Sequence, residues 1–144
     1  MEYYPYTAAL VGAFLYILQQ GLMMNTGAYR GKVGVGVGVG DDRHLERKSR
    51  RHGNLAENAA IFIVVLALTE MLIGTGPIVI AFGAVFALAR VSHAFAFNSL
   101  SGSHEKTEGG QKYLLARMIG ALLSGLTGIA LSLFLIYSVI TVVA

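Results

Sequence analysis

Three groups of residues have the types and spacing to do chemistry on a small anion. Arg50, Asn54 and Glu57 recur at i, i+4 and i+7, the interval that lines side chains along one stripe of a helix. Arg43 and Arg47 continue that stripe toward the start of the chain. Farther on, Arg90, His93 and Phe97 repeat at i, i+3 and i+7, and Arg117 stands alone in the apolar run Leu114-Leu-Ala-Arg-Met-Ile119. The set amounts to several guanidiniums, one amide, one carboxylate and one imidazole. A guanidinium grips a carboxylate with two parallel hydrogen bonds, and a carboxylate receives an amine. Such a set suits a small polyanionic ligand that carries its own amine, for example an acidic peptide.

Plainer readings compete for several of these residues. Arg43, Arg47, Lys48 and Arg51 can serve as a cationic anchor whose long side chains reach headgroups. Glu57 can be paired to an arginine for structure alone, and His93 can be a satisfied structural histidine. Glu70, near the opposite end of the second span, reads as an interhelical contact or a group reaching the outer surface. Other chemistries lack their patterns. His44, His52, His93 and His104 show no paired ligand spacing, so no metal site is expected. No G-x-S-x-G is present. The run from Gly34 to Gly40 alternates glycine with valine but is not a G-x-G-x-x-G turn, and no βαβ pattern surrounds it. The chain has no cysteine, so a thiol in any reaction must arrive with a ligand.

The elements that must position these groups are long and apolar. A helix needs roughly 20 mainly apolar residues to cross the hydrocarbon of a bilayer, and four stretches qualify, at about 6–28, 53–73, 77–97 and 113–143. The sequence therefore predicts an all-α, four-span membrane domain occupying the whole of 1–144. In the first span Gln19 and Gln20 are amides that need neighbouring helices, since lipid offers no partner. Tyr29 to Gly40 reads as a loop, because glycine at every second position disfavours a helix. Asp41 and Asp42 stand where N-cap and first-turn acids belong. From Arg43 a helix can run unbroken to about Ile73, its first third charged and projecting past the membrane. Pro77 suits the first turn of the third span, and Asn98 to Gln111 reads as a polar loop. In the fourth span Gly120, Ser124, Gly128 and Ser132 form a small-residue ridge, open either to another subunit or to packing within one.

Bulk composition agrees. Of 144 residues, 55% are hydrophobic and 13% charged, with a mean hydropathy of +0.63; a soluble domain carries about a quarter charged residues. The net charge of +3 does not signal nucleic acid, because the basic residues lie in loops beside apolar segments. Arg30, Lys32, Arg43, Arg47, Lys48, Arg50, Arg51, Lys106 and Lys112 fall in the first and third connections, and the second connection and both termini have no lysine or arginine. Basic loops stay in the cytoplasm, so both termini are expected on the other side. The start, Met-Glu-Tyr-Tyr-Pro, lacks the basic n-region of a signal peptide and is expected to be retained.

With these residues in view, the chain resembles the MAPEG proteins, the membrane-associated proteins in eicosanoid and glutathione metabolism. The likeness is carried by Arg47-Lys-Ser-Arg50-Arg51-His52-Gly53-Asn54-Leu-Ala-Glu57 before an apolar span, by Ala89-Arg90-Val-Ser-His93-Ala-Phe-Ala-Phe97 and by Arg117 near the start of the fourth helix. The Gly-Val-Gly-Val loop and Asp41 resemble bacterial members, which implies a bacterial inner membrane. The resemblance implies a homotrimer of four-helix subunits with glutathione as co-substrate, bound between neighbours near the cytoplasmic face. Arg50, Asn54 and Glu57 would grip the peptide, Glu57 at its amine. His93 would line the site, with Arg30 and Arg51 as further contacts. Arg117 would stabilise the thiolate, since a cation near sulfur lowers a thiol pKa from about 8.5. Relatives often carry tyrosine where Asn58 stands, and some have a tyrosine in place of Phe97.

Two classes of function follow. One is a glutathione-dependent transferase or peroxidase acting on lipophilic electrophiles that arrive from the bilayer. The other is a non-catalytic module of the same fold that binds a lipid or protein partner. A small transporter is disfavoured, because the spans show neither internal repeats nor broken helices.

Overall fold

The computed structural model describes residues 4–100 and 110–143. Four helices account for nearly all of them: α1 (Tyr6–Val33), α2 (Arg43–Ile73), α3 (Pro77–Ala96) and α4 (Gln111–Val143). The expected polar loop is described only at its edges; His104, Lys106 and the rest of 101–109 lie outside the described residues.

Local sequence accounts for where the helices start and stop. α1 continues through Tyr29 to Val33, past the point where the loop was expected, and ends at Gly34. Gly34 holds φ at 72° and returns its N–H to the Arg30 carbonyl, a left-handed cap that glycine adopts without steric cost. The glycine repeat thus disfavours helix only once two glycines stand close together. Asp42 starts α2: its Oδ1 accepts the His44 N–H at 2.8 Å and the Leu45 N–H at 3.0 Å. Those bonds, the one from Leu45 foremost, hold its carboxyl below the usual carboxylate range. Tyr29 donates its hydroxyl to Asp42 Oδ2 at 3.1 Å, tying the end of α1 to the start of α2. Pro77 opens α3 behind Gly76.

At 1.5 Å per residue, the 31 residues of α2 reach about 46 Å and the 33 of α4 about 50 Å, well beyond a hydrocarbon layer of roughly 30 Å. The 20-residue α3 matches that thickness. All four are long and apolar enough to cross a membrane. The closest pairings are α3 with α4 and α1 with α2. Leu15, Leu55, Phe62, Leu66, Val79, Phe86 and Leu131 fill the interior, with the Phe62 and Phe86 rings stacked at 3.6 Å. The outside is equally apolar: Leu10, Phe14 and Ile17 on α1, Ile61 and Leu68 on α2, and Leu122, Leu126 and Leu133 on α4 are all exposed. A bundle apolar both within and without is soluble in lipid rather than water. This is a multi-pass membrane protein.

At the end away from the charged connections, Glu70 is fully buried. It accepts the Thr7 and Ala8 N–H groups at 2.9 Å each and the Thr75 hydroxyl at 2.6 Å. Pro5, preceding α1, supplies no side-chain cap, so α2 supplies the missing acceptors. Of the two roles open to Glu70, the interhelical contact is the observed one.

Candidate functional site

At the charged end, α2, α3 and α4 bring part of the expected set together. Asn54 is half-buried, while Arg50 and Glu57 face outward on the same stripe. The Asn54 carbonyl accepts from Asn58 Nδ2 at 2.8 Å and from an Arg90 guanidinium nitrogen at 3.3 Å. Arg90 comes from α3 and is only 4% exposed. Its guanidinium lies 5.9 Å from the Phe86 ring centroid, and its Nε is buried without a hydrogen-bond partner. An isolated buried ion costs several kcal/mol, so this arginine is an expensive residue to keep. His93, one turn on, is buried and packs on Phe97 with ring centroids 5.1 Å apart. Arg117 of α4 covers the Phe97 ring at 5.3 Å. His93 lies within electrostatic reach of both Arg90 and Arg117.

Backbone contact between α3 and α4 sets this arrangement. A Cβ on Gly120 would fall 2.7 Å from the His93 nitrogen and 2.8 Å from the Ala89 oxygen, so only glycine lets α4 approach here. Ser92 donates to the Ala116 carbonyl at 3.0 Å, fastening α4 beside Arg117. The small-residue ridge therefore divides. Gly120 and Ser124 are buried and Gly120 packs within the subunit. A Cβ on Gly128 would meet nothing within 4 Å, and Ser132 is exposed. Beyond Gly120 the helices leave a groove of about 420 Å³ between α2 and α4. Glu57 and Asn58 stand at its charged end, and Ile61, Phe62, Phe86, Ser124, Gly128 and Leu133 are among the residues along it. Sequence reasoning placed Arg90 on the α3 stripe without assigning it to the site, and it missed Ser92. The signal for Arg90 was its charge, deep in a span; Ser92 carried none.

Arg30 and Arg51 are placed elsewhere. The Arg30 guanidinium clasps the glycine loop, donating to the carbonyls of Val35 and Gly36 at 3.4 Å and Gly38 at 2.6 Å, and to Ser49 Oγ at 3.3 Å. It borders a separate pocket of about 290 Å³ with Thr26, Gly27, Ser49 and His52. Arg51 donates to Asn98 Oδ1 at 2.6 Å and Asn25 Oδ1 at 3.1 Å, and Lys48 joins it on Asn25 at 2.6 Å. Arg47 donates to the Phe97 carbonyl at 3.0 Å, a favourable place for a cation at a helix C-terminus. Arg47, Lys48 and Arg51 thus tie α2 to the ends of α1 and α3.

The arginine-rich end, the four spans and the capped connections meet one decisive comparison: the sequence model of the MAPEG family matches residues 5–137. The chain belongs to the MAPEG family. The match covers all of α1, α2 and α3 and most of α4, so every candidate residue described above lies within it. No curated protein matches the chain. As a MAPEG protein it belongs to a membrane family of eicosanoid and glutathione metabolism.

Proposed function

We propose that this MAPEG protein is a glutathione-dependent membrane enzyme that conjugates or reduces lipophilic electrophiles or peroxides. The observation that carries the reading is the convergence of Arg117 and His93 on Phe97, at the end of the bundle where Glu57 heads a groove lined by apolar residues. The donors fit the co-substrate. Glutathione brings two carboxylates and an ammonium; the site offers Arg50 and Asn54 for the former and Glu57 for the latter. Arg117 holds the sulfur as thiolate by placing a positive charge beside it. In conjugation the sulfur forms a bond to carbon as the leaving group departs with its electron pair, the thiol proton having passed to water. In peroxide reduction the thiolate sulfur bonds to one oxygen as the O–O bond breaks and the other oxygen leaves as an alcohol; a second glutathione then displaces the sulfenic oxygen as water, forming the disulfide.

Arg30 and the α2 stripe support a site shared between subunits of a homotrimer. Ser49, which Arg30 engages, and Arg50 are successive residues, so their side chains point about 100° apart around α2. One ligand would meet both faces most readily between two copies. The distribution of basic residues supports a cytoplasmic location for the charged connections, in a bacterial inner membrane. Impermeant thiol labelling of Glu2→Cys and Lys106→Cys in intact cells tests this orientation; reaction at position 106 with protection at position 2 reverses it.

Turnover of a generic aromatic electrophile by the purified protein with glutathione tests the function. The expected result is conjugate formation together with the ultraviolet absorbance of a thiolate on adding glutathione. Neither signal, from protein shown to be folded, leaves a non-catalytic lipid-binding or partner-binding module.

A further inference from the structure

Arg47, Lys48 and Arg51 form a cation cluster that the proposed roles of Arg50, Asn54, Glu57 and Arg117 leave unused. Arg51 lies about 100° around α2 from Arg50, so the cluster faces the ends of α1 and α3 instead. Lys48 and Arg51 donate to the same oxygen, Asn25 Oδ1, at 2.6 Å and 3.1 Å. Arg51 also reaches Asn98 Oδ1 at 2.6 Å, and Arg47 the Phe97 carbonyl at 3.0 Å. All these acceptors are neutral. Among the described residues no carboxylate bonds any of the three cations, and Asp42 is occupied by the His44 and Leu45 N–H groups and the Tyr29 hydroxyl. Arg47 and Arg51 both lie within electrostatic reach of Lys48. Like charges repel, so drawing two of them onto one amide oxygen is unfavourable until an anion answers them.

The cluster is held in place before any anion arrives. The Thr26 hydroxyl donates to the Lys48 carbonyl at 3.2 Å, and the Lys48 ammonium stands 5.3 Å from the Tyr29 ring centroid. Its depth is set by α3, whose 20 residues match the hydrocarbon thickness, so Phe97 and Asn98 stand where hydrocarbon ends and headgroups begin. Asn25 and Asn98 are both exposed, which leaves the outward side of the cluster open at that level. The Lys48 ammonium and the Arg51 guanidinium keep N–H donors beyond those already used. A guanidinium and an ammonium converging on one point suit a phosphate, the first by its fork and the second as a point charge. Farther along α1 from Asn25, Ile17, Phe14 and Leu10 are exposed and offer an apolar face for acyl chains. Inorganic phosphate has the same anionic chemistry but nothing to lay on that face.

We propose that Arg47, Lys48 and Arg51, with Asn25 and Asn98, bind the phosphate headgroup of an anionic phospholipid whose chains lie along α1. A diffuse cationic anchor is drawn to any anionic surface in proportion to its charge. A basic pocket between helix ends instead takes a lipid saturably and by its headgroup. This site is separate from the Arg50–Asn54–Glu57 stripe and does not rest on the glutathione reading.

The test uses the full chain in a neutral detergent, stripped of lipid, with melting temperature followed as phosphatidylglycerol, phosphatidylcholine or inorganic phosphate is titrated in. The unchanged protein is compared with the double variant Lys48→Gln and Arg51→Gln, since glutamine keeps an N–H for Asn25 and removes the charge. Lys32→Gln is the control, an exposed cation in the last turn of α1. The expected result is a saturable rise with phosphatidylglycerol and none with phosphatidylcholine. The double variant should weaken the apparent phosphatidylglycerol affinity about tenfold or more, and Lys32→Gln should leave it unchanged. An equal response to the two lipids overturns the proposal. So does a loss in Lys32→Gln as large as that in the double variant, which would mean diffuse attraction alone. Inorganic phosphate acting as strongly as phosphatidylglycerol overturns the lipid as occupant. Where the double variant does not fold, Lys48→Gln is read alone, and an unchanged phosphatidylglycerol affinity in that folded protein overturns the site.

Discussion

Replacing Gly120 with alanine adds one methyl group where the bundle has no room. The new carbon would lie 2.7 Å from the His93 nitrogen, 2.8 Å from the Ala89 oxygen and 2.8 Å from the His93 Cβ. Comfortable non-bonded separations are about 3.5–4.0 Å, so α3 and α4 must part by about 0.7–1 Å. The first two obstacles are backbone atoms of a helix, which cannot swing aside as a side-chain tip can. Overpacking of this kind costs typically about 1–3 kcal/mol. The displaced residue is His93 itself, and Arg117 lies three residues before Gly120 on the helix that moves, about 4.5 Å along its axis. A misplacement of about 1 Å in a reacting constellation costs on the order of a hundredfold in rate. Gly120→Ala should therefore lower both melting temperature and turnover per folded protein, the latter far more than glutathione binding. Gly21→Ala is the control: Gly21 is exposed on α1 with nothing within 4 Å, and alanine there should preserve activity and gain up to about 1 kcal/mol of stability. Turnover and thermal unfolding are measured on the same detergent preparation. A Gly120→Ala protein with unchanged turnover per folded molecule refutes the idea that this backbone contact sets the His93–Arg117 geometry, whatever its stability.

Three further outcomes are expected. Arg117→Ala should reduce kcat by about a hundredfold or more, the usual value of an electrostatic contact that strengthens as charge develops, while Arg50→Ala and Glu57→Ala should act mainly on KM; Arg117→Lys should recover part of the rate, and a full rate per folded molecule in Arg117→Ala would remove Arg117 from the mechanism. Glu70→Ala strands two N–H groups and a hydroxyl at the far end of the bundle, and at about 1–3 kcal/mol for a buried unsatisfied group it should cost about 3 kcal/mol or more in thermal unfolding while leaving turnover per folded molecule unchanged. Asp42 has its carboxyl held below its ordinary value near 3.8, chiefly by the Leu45 N–H, so its contribution to the start of α2 is present above about pH 4 and lost as pH falls through the folded value; hydrogen exchange in the first turn of α2 should speed up on acidification, and Asp42→Ala should abolish that pH dependence.

The fold was legible because a bilayer imposes one length scale on every span. Four apolar runs and the punctuation at Asp42 and Pro77 were enough to place helices at Arg43–Ile73 and Pro77–Ala96. The one clear shift, α1 running on to Val33, came from reading the glycine repeat as a loop from Tyr29 onward. A single glycine, Gly31, does not stop a helix, whereas Gly34 does so by adopting positive φ. The α2 stripe and the His93–Phe97 face of α3 were also legible, since helical spacing predicts which residues share a face. Partners across elements were not. Arg50 and Arg51 are neighbours of the same type, yet one faces outward on the stripe and the other bonds Asn25 and Asn98, a distinction made by about 100° of rotation per residue and by what α1 and α3 present there.

The same limit explains why the charges inside the bundle divide as they do. Glu70, near the far end of α2, and Arg90, in α3, are both ionisable and both buried. Their surroundings differ. Glu70 faces a helix N-terminus, where three donors meet it and the helix dipole favours a negative charge; every demand it makes is met, and it reads as structure. Arg90 faces a carbonyl already in use and an aromatic ring, which leaves its charge unanswered. In a bundle surrounded by lipid a satisfied charge holds helices together, while an unsatisfied one waits for a ligand of opposite sign. That asymmetry is why the proposed function assigns its chemistry to the end of the bundle that carries Arg90, His93 and Arg117.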